Sequence, residues 1–278
     1  MTALYIILGI LLGLFLLYLF LLMSRTRRPE AAALMRTPFA HRGLHDEKTP
    51  ENSLAAFRAA VAAGVGIELD VQLSSDGVLM VFHDETLVRM TGKEGKVSDY
   101  TCAALKEIRL GDSEETVPTF AEVLETVDGR VPLLVEVKYH NRIDETCKKT
   151  AALLDGYKGA YLMESFHPLA VRWFAKHRPA VVRGQLSAAA CKEKFTLSNF
   201  IVESMALNIL SRPDFIAYSV KDKRHFPFLL AKLWKPYTAA WTVRTAEELL
   251  AAKGFDQIIF ERISADAAKS AFGKEETV

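Results

Sequence analysis

The sequence predicts an α/β fold in which strand–helix units form a parallel barrel, preceded by one transmembrane helix. The first observation is a series of short apolar segments, typical of buried strands, with helical intervals between the later ones. The second is that charged side chains stand at the ends of several of these segments, as they do at the carboxyl edge of a barrel. The third is an uncharged apolar run near the N-terminus.

The N-terminal run covers residues 3–23, and as a helix it would extend about 31 Å, which is enough to cross a bilayer. Three arginines follow within five residues, so the positive-inside rule places the rest of the chain in the cytoplasm. A cleaved signal peptide is the alternative, disfavoured because the basic flank follows the apolar run and the run is long. We expect a single-pass protein of the cell membrane that contacts the lipid bilayer through residues 3–23.

Net charge, cysteine content and one glycine pair bear on which other partners the chain could have. The net charge of +1 gives no electrostatic case for nucleic acid binding. The three cysteines have no CxxC spacing and are odd in number, so they indicate neither a zinc motif nor a disulfide framework and fit a reducing compartment. Gly9 and Gly13 form a GxxxG pair that could pack helices into a homo-oligomer, although two incidental glycines explain it equally well.

The pattern divides the chain into a transmembrane helix (1–24), a basic linker (25–36), a barrel (37–270) and a C-terminal tail (271–278). A polar piece at about 86–117 does not resemble a plain helix. Candidate strands lie near residue 40 and at 67–73, 78–82, 131–137, 159–166, 181–186, 215–220, 237–243 and 257–260. Candidate helices include 54–63, 118–127, 146–154 and 246–252.

The stretch 39–84 concentrates side chains capable of chemistry. The segment around Glu68 and Asp70 alternates strictly between apolar and polar residues, so these two carboxylates share one strand face. A turn at Asp76-Gly77 then reverses the direction of the chain and leads into the next strand. A two-residue turn would place His83 opposite Asp70, and a longer turn would shift that register by about one residue.

Carboxylates on one strand face repel each other, and a hard divalent cation, Mg²⁺ or Ca²⁺, relieves that repulsion. A third carboxylate, Glu136, interrupts an apolar strand and shares a face with Lys138. We therefore predict that Glu68, Asp70 and Glu136 bind one divalent cation. The alternatives are a solvated strand face for the first two and an ion pair with Lys138 for the third.

Five short motifs occur in series between residues 37 and 261: HRG at 41–43, PEN at 50–52, E-x-D at 68–70, FHD at 82–84 and E-x-K at 136–138. In this order and spacing the chain resembles the glycerophosphodiester phosphodiesterase family of the PLC-like phosphodiesterase superfamily. The resemblance implies a TIM-type (β/α)₈ barrel with a small insertion at about 86–117, beside the active site.

The resemblance also implies roles for individual residues. His41 and His83 would be the general acid and base, Glu68, Asp70 and Glu136 the metal ligands, and Arg42 and Lys138 the phosphate contacts. Glu51 would support the site, and Trp241 would contact the glycerol moiety, with a packing role as the alternative. The family usually has an aspartate near the end of the last strand, where this chain has Glu261: either Glu261 replaces it or that corner differs.

The expected function is metal-dependent hydrolysis of glycerophosphodiesters to sn-glycerol 3-phosphate and an alcohol, in glycerolipid metabolism. Histidines titrate near neutrality and suit the proton transfers, while the cation, Arg42 and Lys138 would neutralise the phosphate. One alternative is a lysophospholipase D-type activity on lysophospholipids; another is a catalytically silent membrane-tethered binding barrel, disfavoured because all five motifs are intact. A glycosidase is disfavoured because its paired carboxylates need no histidine pair. The alcohol moiety, the cation and the acid–base order of the histidines stay open.

Overall fold

Eight parallel strands close into a ring in the computed structural model, which describes residues 1–192 and 194–272. The ring closes because the first strand pairs with both the second and the last, and the one antiparallel strand, β3, lies outside it. The predicted TIM-type barrel is therefore confirmed. The strands are β1 (Phe39–Ala40), β2 (Gly66–Leu73), β3 (Leu79–Val81), β4 (Leu133–Val137), β5 (Tyr161–Ser165), β6 (Val182–Ser187), β7 (Phe215–Ser219), β8 (Tyr237–Val243) and β9 (Gln257–Phe260).

Helices surround the ring, and one long helix precedes it. They are α1 (Thr2–Leu21), α2 (Pro29–Ala32), α3 (Leu54–Ala63), α4 (Val88–Thr91), α5 (Cys102–Lys106), α6 (Phe120–Val127), α7 (Ile143–Asp155), α8 (Pro168–His177), α9 (Leu197–Ser204), α10 (Asn208–Ser211), α11 (Phe226–Ala231), α12 (Ala246–Ala251) and α13 (Ala265–Phe272). Short 3₁₀ turns lie at Leu34–Arg36, Val97–Asp99, Ala190–Lys192, Val220–Asp222 and Lys232–Trp234. Among the described residues, α1 alone is long and apolar enough to cross a membrane.

The turn between β2 and β3 has three residues rather than two. Leu73 pairs with Leu79, and Ser74 donates its backbone N–H to the carbonyl of Val78. As a result Phe82, not His83, lies opposite Asp70, and its N–H donates to the Asp70 carbonyl at 3.0 Å. The one-residue shift that the sequence left open is the arrangement observed.

The polar piece after β3 folds around a small core of its own. It contains the short helices α4 and α5 and one 3₁₀ turn, and it adds no strand to the barrel. Its buried apolar side chains pack together with Met80 of β3 and with Phe82, and they are Leu87, Val97, Leu105, Ile108, Leu110 and Val117. Apolar cohesion of this kind explains how a stretch so rich in charged residues stays ordered.

Residues 25–36, the basic linker of the sequence-based division, lie against the barrel. Ala31 and Met35 are buried in one cluster with Phe39 and other side chains from β4 to β9. The Arg28 guanidinium donates to both carboxylate oxygens of buried Asp214, at 2.8 and 3.0 Å. At the other end of the chain, residues 271–272 belong to α13, and the rest of the predicted tail, 273–278, lies outside the described residues.

We expect the Arg28→Ala substitution to lower the free energy of unfolding by about 1–3 kcal/mol, because it leaves a buried carboxylate with fewer charged partners. Arg25, 3.7 Å from Asp214, limits the loss. The measurement is the unfolding temperature of the full-length protein in detergent, which should fall by about 3–8 °C. Arg36→Ala, at an exposed position, is the matched control. An unchanged unfolding temperature in Arg28→Ala would show that the contact contributes nothing.

Candidate active site

The chain turns sharply where β1 ends, and the turn places a histidine and an arginine at the barrel mouth. The His41 N–H continues the ladder to the Phe260 carbonyl at 2.8 Å. Arg42 then has φ of 56°, a left-handed conformation held by hydrogen bonds from its N–H to Glu68 Oε2 and to its carbonyl from the Asn52 N–H. Gly43 has φ of 82°, and a Cβ there would lie 2.9 Å from the Ala56 Cβ on α3.

Three carboxylates predicted to bind a metal come together at this end of the barrel. Glu68, Asp70 and Glu136 each offer an oxygen within 4.8 Å of the other two, and all three are buried. Parallel pairing aligns Asp70 of β2 directly with Glu136 of β4. The cluster is the arrangement of oxygen ligands that a hard divalent cation prefers.

A fourth carboxylate, Glu164, lies on β5 beside Glu136 and is also buried. Burial, reinforced by the charges of Glu136 and Asp70, raises the pKa of Glu164 well above its usual value. Burial and the neighbouring carboxylates likewise raise the pKa of Glu68. The protein groups alone therefore leave this end of the barrel short of positive charge.

Two cations and an amide offset part of that charge. Lys138 Nζ lies 2.9 Å from Asp70 Oδ1 and 2.8 Å from Glu136 Oε1. Burial alone would lower the pKa of Lys138, but these two carboxylates outweigh it and raise the pKa, so the ammonium stays charged. The Asn52 amide donates to Asp70 Oδ2 at 2.8 Å. With Arg42 and Lys138 against four carboxylates, a divalent cation would restore neutrality, and the residues fit such a group.

His41 is held by Glu261, which follows β9. Its Nδ1 lies 2.5 Å from Glu261 Oε2, and Arg244 Nε donates to the other oxygen of the same carboxylate at 2.5 Å. Burial lowers the pKa of His41 to about 4, so the imidazole is neutral at pH 7. Because a carboxylate only accepts, Nδ1 carries the proton and Nε2 keeps a free lone pair.

His83 has a carboxylate on the same nitrogen, supplied by its neighbour in the chain. His83 Nδ1 lies 2.6 Å from Asp84 Oδ1, and Arg89 Nε donates to Asp84 Oδ2 at 2.5 Å. Arg89 also donates to Glu51 at 2.6 Å, and Glu51 accepts from Arg42 at 2.7 Å. Glu51 therefore links Arg89, which contacts the carboxylate beside His83, to Arg42, which follows His41 in the chain.

Both histidines line one narrow cavity at the mouth of the barrel. Glu68, Glu136 and Glu164 form part of its floor, and Trp241 forms part of its wall with Phe166. The Phe166 and Trp241 rings meet edge to face with centroids 5.4 Å apart. Among the described residues the buried Trp241 Nε1–H has no hydrogen-bond acceptor, so it is available to a bound molecule.

Sequence reasoning overlooked some members of the site. Glu164 interrupts an apolar strand just as Glu136 does, so the same signal was present. His45 Nε2 lies 3.7 Å from Glu261 Oε2, the same carboxylate oxygen that contacts His41. No pattern in the sequence indicates this contact, because the two residues meet only when the barrel closes.

Comparison with known proteins matches residues 41–264 to the sequence model of the Glycerophosphoryl diester phosphodiesterase family. The chain belongs to this family. The matched range begins at His41 and contains every residue discussed in this site. The resemblance inferred from the five short motifs is thus confirmed.

Relatives and solved structures of the family agree. The chain is 36% identical over 159 residues to a glycerophosphodiester phosphodiesterase of Bacillus altitudinis, covering 51% of this chain and 63% of that protein. It is 37% identical over 122 residues to human glycerophosphodiester phosphodiesterase 1, covering 40% and 36%. The matches thus span less than two thirds of these relatives' length. A phosphodiesterase of Oleispira antarctica, solved in complex with the product sn-glycerol-3-phosphate, superimposes with a TM-score of 0.71 at 25% identity, covering 87% of this chain and 99% of that one.

We expect a divalent cation to stabilise the protein through the carboxylate cluster. At a concentration about 100 times its dissociation constant, Mg²⁺ or Ca²⁺ should raise the unfolding temperature of the EDTA-treated protein by about 5–10 °C. Glu68→Gln should abolish that response and, without metal, be at least as stable as the parent, because it removes one repelling charge. Glu47→Gln, in an exposed loop, should respond like the parent. A parent protein indifferent to both cations would contradict the metal site.

Proposed function

We propose that the protein hydrolyses glycerophosphodiesters to sn-glycerol 3-phosphate and an alcohol in a metal-dependent reaction. The observation that carries the proposal is one cavity lined by two histidines and by buried carboxylates that need a cation. Each histidine has its Nδ1 on a carboxylate, which is the arrangement of a histidine that transfers protons through Nε2. The product bound in the Oleispira antarctica relative supports the same substrate class for this chain.

Substrate binding is assigned to the charged groups of the mouth. Glu68, Asp70 and Glu136 would hold one Mg²⁺ or Ca²⁺, which when bound would polarise the phosphoryl oxygens. Arg42 and Lys138 would contact the phosphate. The free Trp241 N–H and its ring edge would contact the glycerol moiety.

Proton transfer is assigned to the histidines. Neutral His41 would accept at Nε2 a proton of the attacking water as the new P–O bond forms, so that the water oxygen stays on the phosphate of the glycerol 3-phosphate product. His83, whose Nδ1 contacts Asp84, would act as the general acid and donate a proton from Nε2 to the alcohol oxygen as the old P–O bond breaks. The surroundings favour this order, because His41 is the more buried of the two and lies close to Arg42.

We further propose that α1 is a retained membrane anchor, with the barrel on the cytoplasmic side, and that the barrel unit covers residues 37–270. Leu22, directly after α1, is fully buried and packs with Met205, Ile216 and Phe228 of the barrel wall. Signal-peptide cleavage beyond Leu22 would strip this contact from the folded domain. An anchored site also makes lysophospholipids a plausible second substrate class.

The first experiment is a product assay of the full-length protein in detergent on glycerophosphocholine and lysophosphatidylcholine. Activity should be lost with EDTA and restored by Mg²⁺ or Ca²⁺. His41→Ala, His83→Ala and Glu68→Ala should each lower turnover by about 10²-fold or more. Glycerol 3-phosphate from the first substrate identifies the proposed activity, and lysophosphatidic acid from the second identifies the lysophospholipase D alternative.

His177→Ala is the matched control, because this exposed histidine lies at the end of α8, on the wall of the barrel. It should retain parental turnover. If the folded, metal-loaded parent turned over neither substrate, the binding-barrel alternative would take precedence. Full activity in either His41→Ala or His83→Ala would remove that histidine from the mechanism.

We expect Glu261→Gln to lower kcat by about 10²-fold or more with little change in KM, because the amide no longer fixes the Nδ1–H tautomer of His41. Glu261→Asp keeps the charge and should retain more activity than Glu261→Gln. Arg262→Ala is the control, since its exposed guanidinium lies 3.8 Å from the same carboxylate. Equal activity in Glu261→Gln and Arg262→Ala would rule out a role for Glu261 in positioning His41.

A further inference from the structure

Large apolar side chains are exposed on the barrel wall beside α1. Six of them form a collar: Phe195, Leu197 and Phe200 around the start of α9, and Phe226, Leu229 and Leu233 on α11 and the turn after it. Phe195 and Leu197 are 77% and 73% exposed, and Phe226 and Leu233 are 60% and 64% exposed. Beyond residue 22, every phenylalanine counted among the exposed large apolar residues belongs to this collar. Such a concentration indicates a surface that another apolar phase covers.

The elements that carry the collar contact the end of α1. The Tyr18 hydroxyl donates to the Ser204 carbonyl at the end of α9, at 2.8 Å. On the other side, Trp234 Nε1 donates to the Leu19 carbonyl, also at 2.8 Å. Both halves of the collar therefore belong to elements that hydrogen-bond to the last turn of α1.

The length of α1 sets the depth of these contacts. Its 20 residues extend about 30 Å, which matches the hydrocarbon thickness of a bilayer. The last turn must then lie at the boundary between acyl chains and headgroups. Elements bonded to Tyr18 and Leu19 lie at that same level, where exposed phenylalanine and leucine side chains are stable.

The charge around the collar complements an anionic headgroup layer. Residues 190–235 contain eight lysines and arginines and four aspartates and glutamates, a net charge of +4, although the whole chain carries only +1. Lys194, Arg224 and Lys232 are among the exposed cations. Apolar side chains among basic ones are typical of a surface that binds an anionic bilayer.

The collar also lies close to the mouth of the barrel. The segments that carry it follow β6 and β7, whose carboxyl ends form part of the mouth. Lys192 Nζ of the first segment contacts Asp222 of the second at 2.7 Å, and Glu203 contacts His225 at 3.2 Å. The two halves of the collar are thus held together as one surface.

We infer that the collar docks on the surface of an anionic phospholipid bilayer and holds the barrel mouth at the membrane. This inference rests on the proposal that α1 is a membrane anchor. The collar side chains insert at the boundary of the acyl chains, and the surrounding lysines and arginines contact the headgroups. Substrate that resides in the membrane then reaches the site without crossing bulk water.

The test is a depth measurement on the full-length protein in nanodiscs of phosphatidylcholine and phosphatidylglycerol. In a Cys102→Ser, Cys191→Ser background, Leu197→Cys and Phe226→Cys are labelled with a fluorophore that spin-labelled lipids quench. Leu153→Cys on α7, at a position 38% exposed, is the matched control. Quenching at 197 and 226 should exceed that at 153 by about threefold or more and increase with the phosphatidylglycerol fraction.

Quenching at 197 and 226 equal to that at 153 would overturn the inference. So would a signal that follows the number of protein copies per disc rather than the lipid, since this indicates contact between two copies. Retention of the protein in discs through alkaline washing tests the anchor separately, and loss of the protein there overturns the anchor and the docking together. Absence of turnover with the quenching pattern intact would contradict the proposed activity alone.

Discussion

Mutual repulsion among four buried carboxylates is the constraint on which the rest of the barrel mouth depends. Glu68, Asp70, Glu136 and Glu164 come from three neighbouring strands whose parallel register aligns them. A slip of one residue in any of these pairings would turn a carboxylate into the apolar layer beneath the helices. The same crowding that destabilises the cluster without a counter-charge would give it affinity for a divalent cation. The strained turn at Arg42 and the buried Lys138 ammonium follow from it, since both supply hydrogen bonds or charge to these oxygens.

Each of the two histidines has its Nδ1 beside a carboxylate, but the two carboxylates come from different distances along the chain. His83 takes its carboxylate from the next residue, so its support is local. His41 takes its carboxylate from Glu261, which only the closing of β9 onto β1 brings near. Arg89 and Glu51 then connect the two sides of the mouth through one chain of ion pairs. Orientation of the His41 imidazole thus depends on the ring being closed, whereas that of His83 depends on its own neighbour in the chain.

Sequence patterns predicted the elements whose signals are local. Alternation in β2 placed Glu68 and Asp70 on one face, and the pattern of apolar residues predicted α3 at 54–63, as observed. Local sequence patterns do not predict contacts between residues that are far apart in the chain. The pair of His41 with Glu261 is separated by 220 residues, and Arg28 with Asp214 by 186. An arginine-rich segment is typical of a solvated linker, and nothing local reveals that its partners are carboxylates at the base of the barrel.

The segment between α1 and β1 contacts the barrel at several points. Leu22 is buried in the wall, Arg25 and Arg28 are tied to Asp214, and Met35 fills the base of the ring. A flexible linker would let an anchored domain take many orientations relative to the membrane. Any one face of the domain would then contact the membrane for only a small fraction of the time. These contacts remove that freedom, so with α1 as the proposed anchor a tilt or rotation of the helix in a bilayer would turn the whole barrel with it. Bilayer thickness, which is one influence on helix tilt, would then affect how the barrel is oriented relative to the membrane.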